Sequence, residues 1–391
     1  MDTKVSVVAV VGIMLVLAVG IYVVSDDGDD EYQSIVSAVA RVNTDGSGIY
    51  LKSEYVVKDC LTKNDDGTYT FNKEWWGGKV FGTPGASTIQ HVQLQQIADS
   101  MGLKFVKYQE GSSGSKDTLY FSDTINNAEA ATENNAHLLD GGILWEPQYS
   151  RIIADSQYQQ MVLTNDLFPG HACCVIAGYT DFMDSNRDAT VAFLTAYVKG
   201  VKYVNEALAD KSSEKYEEFV GICEKSTGLN RDVIEAALEN VVYKYSDDNN
   251  SGSLDALVQD IASLESDLER IQTIKTEIQS LGFEDSTEFA NALVDDSYLM
   301  DAVEGNIKPM KSKTTIDVVA ISGDIHQIAL NVAKELGYFS DYNLVVNIRG
   351  VGNGGAVAQD LLTGQSDFGL LGAPPLTINA VNLKAVTAGS E

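Results

Sequence analysis

The sequence predicts an α/β protein, and three observations carry this prediction. After the linker KPMKSKT (308–314), short apolar strand patterns alternate with helix patterns, as in TIDVVAIS, HQIALNVAKELG, LVVNIRG, GGAVAQDLLTG and DFGLLG. This alternation is typical of βαβ units in a parallel sheet. Residues 34–179 show a second α/β pattern, and residues 186–305 read mostly as helices. A chain of 391 residues suits two domains better than one.

The first α/β region opens with two alternating strands within 34–58, separated by the turn TDGSG. A strand and a glycine-rich turn at 75–87 precede a helix that has Ser87 or Thr88 as N-cap and Gly102 as its stop. Further strands are predicted at KFVKYQ, GGILWEP and ACCVIAGY, and a helix at 124–139.

The helical region contains a stripe of apolar residues at three- and four-residue steps over 254–281. The stripe predicts one long helix laid against the body, with a coiled-coil arm as the alternative. In the last α/β region, PPLTINAVN predicts a helix and KAVTAG predicts a final strand.

The N-terminus carries an apolar segment of bilayer length. Val5 to Val24 contains no charged residue, and about twenty apolar residues span a hydrocarbon core. Lys4 precedes the segment and the acidic stretch SDDGDDE follows it, so the positive-inside tendency places the bulk of the chain outside the cell. We expect an uncleaved, single-pass membrane anchor with an acidic spacer over residues 1–30, with a removed signal peptide as the alternative.

Charge and motif content exclude several classes of function. The formal net charge of −29 argues against a nucleic-acid partner, because a phosphate backbone needs a basic surface. Metal-site, P-loop, HExxH and GxSxG spacings are missing from the sequence, so we expect no cofactor, no metal and no enzymatic activity. Cys173 and Cys174 are interpreted as small apolar residues on a buried strand, and a disulfide between Cys60 and Cys223 is left open.

Glycine-rich turns open several helices directly after strands. Gly350, Gly352 and Gly355 have GxGxxG spacing, but the acidic residue of a dinucleotide site is missing at the expected distance. Such a turn can still bind an anion, because the N–H groups at a helix N-terminus are free to donate hydrogen bonds. Similar helix starts occur at 85–88, 323–326 and 372–375. Of the four histidines, His326 alone lies at one of them.

Residues 318–375 resemble the opening of solute-binding proteins of ABC importers of the nitrate/sulfonate/taurine type, which include relatives that bind thiamine-precursor pyrimidines. The resemblance covers most of residues 35–391, with WWGGKVFGTPGASTIQHVQLQQIADSMGL and LDGGILWEPQYSRI similar to later segments of the family. The positions that carry it in the opening segment are Gly337, Phe339, Gly364, Asp367, Gly369, Gly372 and Pro374.

The segments stand in a different order from that of the family, so the chain resembles a circular permutant, joined between Gly305 and Ile316. A piece of a longer tandem array is the alternative. The resemblance implies a two-lobe, type II periplasmic-binding-protein fold with a hinge. Lobe one would comprise residues 31–74 and 166–391, including the helical region 186–305, and lobe two would comprise residues 75–165.

By this resemblance, ligand contacts are expected in a cleft between the lobes. Oxyanions would bind to hydroxyl groups and turn amides, and Trp145 would either wall the cleft or pack in the hinge. The acidic residues Asp324 and Glu146 would suit a zwitterion or a ring with N–H donors. The expected ligand-binding residues are Asp324, His326, Asn353, Gly354, Ala373, Gly46, Ser47, Ser87, Thr88, Trp145 and Glu146.

The function implied is an extracellular, membrane-tethered solute-binding protein that delivers a small anionic or zwitterionic solute, or a pyrimidine, to an ABC importer permease. One alternative is a cell-surface sensor or envelope module on the same fold. Another is a relative of pyrimidine-synthesising enzymes, which depend on a cysteine-rich stretch, whereas HACCVIAGY offers only two adjacent cysteines.

Overall fold

The computed structural model describes residues 35–112, 114–125, 127–135 and 138–388. The expected anchor from Val5 to Val24 and its acidic spacer lie outside these residues. Within the described ranges, no helix combines the length and the apolar character needed to cross a bilayer. The two new ends that the permutation would bring close together in space, at residue 34 and residues 389–391, also lie outside them, so the permutation stays a prediction.

Two six-stranded sheets and a small hairpin contain the strands of the described chain. The strands are β1 Val36–Asp45, β2 Ser47–Lys52, β3 Leu61–Lys63, β4 Tyr69–Phe71, β5 Val80–Gly82, β6 Lys104–Lys107, β7 Thr118–Ser122, β8 Gly141–Trp145, β9 Tyr158–Leu163, β10 Ala172–Tyr179, β11 Val241–Tyr243, β12 Thr314–Ile321, β13 Leu344–Val351 and β14 Phe368–Gly372.

Helices cover the sheets and fill the region between β10 and β12. They are α1 Val57–Cys60, α2 Lys73–Trp76, α3 Ile89–Ser100, α4 Ala128–Asn135, α5 Gln148–Ile153, α6 Thr164–Leu167, α7 Thr180–Ser185, α8 Arg187–Ala209, α9 Glu214–Thr227, α10 Arg231–Leu238, α11 Asp255–Arg270, α12 Ser286–Leu293, α13 Ser297–Glu304, α14 Ile328–Glu335, α15 Gly354–Leu362 and α16 Ala373–Ala388.

Sheet one has the strand order β11-β1-β10-β14-β12-β13. Strand β12 is parallel to both β13 and β14, whereas β10 is antiparallel to β14 and to β1. The carboxyl ends of β12, β13 and β14 therefore share one edge with the start of β10 and the end of β1. Helices α15 and α16 begin at that edge, directly after β13 and β14.

Sheet two has the strand order β6-β7-β5-β8-β2-β9. Strands β5 and β8 are parallel, and β2 is antiparallel to β8, with Ser47 opposite Trp145. The carboxyl ends of β5 and β8 and the start of β2 thus lie at one edge, and α3 follows β5 there. Both sheets present a strand-end edge of the kind where ligands sit in open α/β folds.

The first crossing between the sheets lies at Asp45 and Gly46. Strand β1 pairs only within sheet one and β2 only within sheet two, so TDGSG is not a hairpin turn. Asp45 has φ 63° and Gly46 has φ 91°. The chain returns to sheet one between β9 and β10.

This crossing corrects the expected boundary between the lobes. Residues 31–74 were assigned to lobe one, but β2 belongs to sheet two and Cys60 and Leu61 pack in its core with Trp76 and Phe81. Alternating strand patterns show that a segment is half-buried but not which sheet it joins, so the sequence could not reveal the assignment.

Two other expectations about elements were wrong. The apolar stripe at 254–281 is not one helix, because α11 ends at Arg270 and Gln272 adopts φ 60°. The stripe is still buried through Ile274, Ile278 and Leu281. KAVTAG is not a strand: its residues up to Ala388 belong to α16. The sequence left open a disulfide between Cys60 and Cys223, but both cysteines are free thiols.

We expect Gly46→Ala to destabilise the fold by about 3 kcal/mol. An added methyl group would overlap the imidazole of His326, and a side chain at this positive φ is strained. Gly67→Ala is the matched control, because Gly67 has φ 86° with nothing within 4 Å of an added Cβ, so it costs about 1–2 kcal/mol. Urea unfolding measures both variants. If Gly46→Ala and Gly67→Ala lower the free energy of unfolding equally, the contact with His326 does not constrain the crossing.

Candidate ligand-binding cleft

A cavity of about 280 Å³ lies between the two strand-end edges. Sheet one contributes the ends of β12 and β14, the start of β10 and the N-terminus of α15. Sheet two contributes the end of β8 and the N-terminus of α3. The volume is near the lower limit of small-molecule pockets, roughly 300–1,000 Å³, so the cleft fits a small solute.

The N-terminus of α3 leaves two backbone donors free in the cleft. Thr88 is the N-cap: its own N–H donates to the Gly85 carbonyl at 3.1 Å, and its side chain accepts from the His91 N–H. The N–H groups of Ile89 and Gln90, the next two residues, have no intrahelical partner because they lie in the first turn. Both residues line the cleft.

The N-terminus of α15 repeats this arrangement from sheet one. Asn353 is the N-cap, and its Oδ1 accepts from the Ala356 N–H at 3.0 Å. The N–H groups of Gly354 and Gly355 are left without an intrahelical partner, and both residues line the cleft. Two helix N-termini, one from each sheet, therefore place four residues whose N–H groups have no intrahelical partner, and two positive dipole ends, at one cavity.

The third helix start, that of α16, differs in chemistry. Pro374 and Pro375 line the cleft beside Gly372, but proline has no backbone N–H. The α16 start therefore supplies shape and apolar surface rather than donors. Among the described residues that line the cleft there is neither Lys nor Arg, so backbone amides supply much of its positive potential.

His326 and Asp324 form a buried ion pair at the cleft wall. The His326 Nδ1 lies 2.7 Å from an Asp324 carboxylate oxygen, and its Nε2 lies 3.0 Å from the Gly46 carbonyl. Both partners are acceptors, so the ring donates from both nitrogens and is an imidazolium. Burial disfavours that charge, but the Asp324 carboxylate, together with negative charge at Cys173 and Glu146, outweighs burial and raises the pKa of His326 to about 9.

The buried Glu146 lies behind the cleft. Its carboxylate accepts from the Ser150 N–H at 3.0 Å and from the Asn240 Nδ2 at 3.1 Å. Burial raises the pKa of Glu146, although these two hydrogen bonds and the charge of His326 oppose the shift. Asn240 also donates to the Ser47 carbonyl at 3.2 Å. This network ties sheet one to sheet two beside the first crossing.

The structure places the eleven expected ligand-binding residues in two groups. The first group lines the cleft: Asp324, His326, Asn353, Gly354, Ser87, Thr88 and Trp145. The second group lies outside the lining: Gly46, Ser47, Glu146 and Ala373. Ser47 does not line the cleft itself but contacts a residue that does, because its fully buried Oγ accepts a hydrogen bond from the Gln90 side chain at 2.8 Å. Ala373 is buried between Gly372 and Pro374, which do line the cleft.

Several lining residues were not among those expected, above all Gln90, Ile321, Cys173 and Cys174. Gln90 was predictable, since it is the second residue of a helix whose start the sequence shows. The two cysteines were interpreted only as buried apolar residues, and no local pattern reveals that both face the cleft. Within the described ranges, no group of three or more His, Cys, Asp or Glu side chains is arranged to hold a metal ion.

The fold and this cleft define a two-sheet α/β protein with a crevice between its sheets, at which two helices begin. A model of the NMT1-like family matches residues 6–216. The match spans more than half of the chain, and the protein belongs to this family. Membership confirms the family resemblance that the sequence carries. No curated protein sequence matches the chain.

Two solved structures are similar to the chain at low identity. One is the ligand-binding component of an ABC-type import system from Staphylococcus aureus with zinc bound, at TM-score 0.47 and 15% identity, covering 69% of this chain and 75% of that chain. The other is the periplasmic nitrate-binding protein NrtA from Synechocystis PCC 6803, at TM-score 0.46 and 13% identity, covering 70% and 68%. Neither likeness carries an argument about the ligand of this chain.

The His326 ion pair predicts a specific pH dependence of stability. Its pKa is raised from 6.5 to about 9 in the folded state. The stabilisation is therefore fully present below pH 6.5 and is lost as the pH rises through about 9, by up to roughly 3 kcal/mol. The free energy of unfolding, measured by urea titration across this range, should fall more steeply for the wild type than for His326→Gln.

His91→Gln is the matched control for this measurement. Burial lowers the pKa of His91 to about 4, so His91 is neutral in the folded state throughout the window. Its replacement should leave the slope unchanged above about pH 7.5, where His91 is neutral in the folded and the unfolded states. A His326→Gln slope that matches the wild type would contradict the imidazolium assignment.

Proposed function

We propose that this protein is the solute-binding component of an ABC importer and that it captures a small oxyanion in the cleft between its two sheets. The observation that carries the proposal is the set of four free backbone donors, at Ile89, Gln90, Gly354 and Gly355, that face one cavity from opposite sides. Oriented amides at helix N-termini favour negative charge. The partner that follows from this role is an ABC importer permease.

The state of the acidic residues favours a plain anion over a zwitterion. Asp324 is paired with His326 inside the protein, and Glu146 is fully buried outside the cleft lining. In the part of the chain that the structure describes, no unpaired carboxylate therefore remains among the lining residues to hold an ammonium group or ring N–H donors. This chemistry suits nitrate or a short alkane sulfonate better than taurine or an aminopyrimidine.

The location of the donors also suits capture by closure. Helix α3 follows a strand of sheet two, and α15 follows a strand of sheet one. An oxyanion bound to the N–H groups of both helices would therefore bridge the two sheets. The chain passes between the sheets at Asp45 and Gly46 and again between β9 and β10. Two short crossings allow hinge motion of the kind that closes binding proteins on their ligands.

Isothermal titration calorimetry with nitrate, ethanesulfonate, taurine, bicarbonate and an aminopyrimidine tests the proposal. We expect saturable binding of one oxyanion per chain, with taurine weaker than ethanesulfonate. A ligand at a hundred times its dissociation constant should also add about 2.7 kcal/mol to the free energy of unfolding. Binding of the aminopyrimidine alone would overturn the oxyanion assignment.

Replacing a backbone donor tests the site itself. Ile89→Pro removes the N–H at the first position of α3, where proline is well tolerated, and Thr88 already has the extended backbone (φ −120°, ψ 150°) that a following proline requires. Ile89→Ala removes the side chain but keeps the N–H.

We expect Ile89→Pro to bind the oxyanion at least about tenfold more weakly than Ile89→Ala, because a hydrogen bond to a charged group contributes roughly 1.5–3 kcal/mol. Calorimetry on both variants measures the difference. Equal affinities would show that this amide does not contact the ligand. Thermal unfolding of both variants checks that the helix is intact.

A further inference from the structure

Cys173 and Cys174 occupy an unusual position in β10. Successive side chains of a regular strand point to opposite faces of the sheet. Here both residues line the same cleft, and their Sγ atoms lie 3.9 Å apart. Each is only 5% exposed, and both are free thiols.

A β-bulge accounts for this arrangement. Asn43 of β1 pairs with Cys174, and Thr44 pairs with Ala172, so Cys173 is the extra residue with no partner on β1. A bulge of this kind redirects a side chain and occurs often beside functional sites. The Asn43 side chain accepts from the Cys174 N–H at 3.2 Å and fixes the backbone there. The backbone itself therefore places the two thiols together.

The surroundings give the two thiols different chemistry. A hydrogen bond from Cys174 lowers the pKa of Cys173 against the effect of burial, and the nearby imidazole rings of His326 and His171 lower it further. The same contact, together with burial, raises the pKa of Cys174. Since the thiolate is the nucleophile, Cys173 is the attacking sulfur and Cys174 the resolving one.

We propose that Cys173 and Cys174 form a redox-active vicinal dithiol in the cleft, which closes to an intramolecular disulfide on reaction with a low-molecular-weight disulfide and is shielded when the cleft is occupied. The shielding rests on the proposed function, whereas the dithiol chemistry does not. This adds a modification site to the binding cleft.

The reaction proceeds by two exchanges with a symmetric disulfide RSSR. The Cys173 thiolate attacks one sulfur, forming a Cys173–SR bond and releasing one RS⁻. The Cys174 sulfur then attacks Cys173, forming the Cys173–Cys174 bond and releasing the second RS⁻. The two thiol protons pass to the two released thiolates, so the protein loses two electrons and two protons and the reagent becomes two RSH.

The geometry of neighbouring residues makes the disulfide easily reversed. Adjacent Cα atoms across a trans peptide lie about 3.8 Å apart, below the usual range of roughly 4.4–6.8 Å in disulfides. A strained disulfide is more readily reduced. The site therefore suits a reversible switch rather than a structural cross-link.

Mass spectrometry of the full folded chain after treatment with 2-hydroxyethyl disulfide tests the proposal. We expect the wild type to lose two hydrogens without a retained adduct, and to regain them with dithiothreitol. Cys174→Ala should instead retain one hydroxyethylthio adduct on Cys173, because the resolving thiol is gone. Peptide mapping locates both products. Folded wild type that stays fully reduced, while the urea-unfolded chain reacts, would overturn the proposal.

The remaining cysteines provide the control. Cys60 and Cys223 are fully buried elsewhere, and burial raises the pKa of both thiols. The double variant Cys60→Ala/Cys223→Ala should therefore lose two hydrogens as the wild type does, at a similar rate. If this variant no longer loses two hydrogens, the oxidation takes place at Cys60 and Cys223, which would contradict the proposal.

Adding nitrate or ethanesulfonate separates this inference from the proposed function. We expect the oxyanion that binds in calorimetry to slow disulfide formation at least about fivefold at saturation. If the dithiol closes but a bound oxyanion gives no protection, the dithiol itself stands and its shielding by the cleft ligand is wrong. If no oxyanion binds at all, the proposed function fails independently of the dithiol result.

Discussion

The buried ion pair between Asp324 and His326 is the interaction on which the rest of the cleft depends. It lies where β12 ends, and the His326 ring donates onward to the Gly46 carbonyl, at the point where the chain leaves sheet one for sheet two. One imidazolium thus fixes a strand end, neutralises the carboxylate nearest the ligand cavity and holds the crossing. Removing either partner would leave an unpaired charge in the interior, which is far more costly than exposing one at the surface.

In the proposed function, with that carboxylate neutralised, the fixed dipoles at two helix N-termini attract the anion to a protein of net charge −29. Thr88 and Asn353 cap their helices and satisfy the third amide of each first turn. Only the first two amides of α3 and of α15 are left to face the cavity. A site built from backbone N–H groups needs no arginine or lysine and pays little side-chain entropy when the ligand binds.

The sequence revealed the parts of this site that depend on local patterns. Helix starts after glycine-rich turns predicted both capped N-termini, and His326 was singled out because it follows such a turn. The pairing of strands could not be predicted in the same way. Alternation along Ser47–Lys52 does not say which sheet this strand joins. The bulge that turns Cys173 into the cleft arises from the register of β10 against β1. Gly46, Ser47 and Glu146 were expected to touch ligand, and the structure shows that they also link the two sheets through His326 and Asn240. Their roles depend on contacts with Gln90, Asn240 and His326, distant in the chain.

The most direct test of the central claim follows the backbone amides themselves during a titration. Amide NMR spectra of the isotope-labelled protein would be recorded as nitrate or ethanesulfonate is added. The account predicts that the amide resonances of Ile89, Gln90, Gly354 and Gly355 shift downfield together and saturate with a single dissociation constant, because all four donate to one anion. Shifts confined to one of the two helices, or saturable binding that leaves these four amides unmoved, would contradict it.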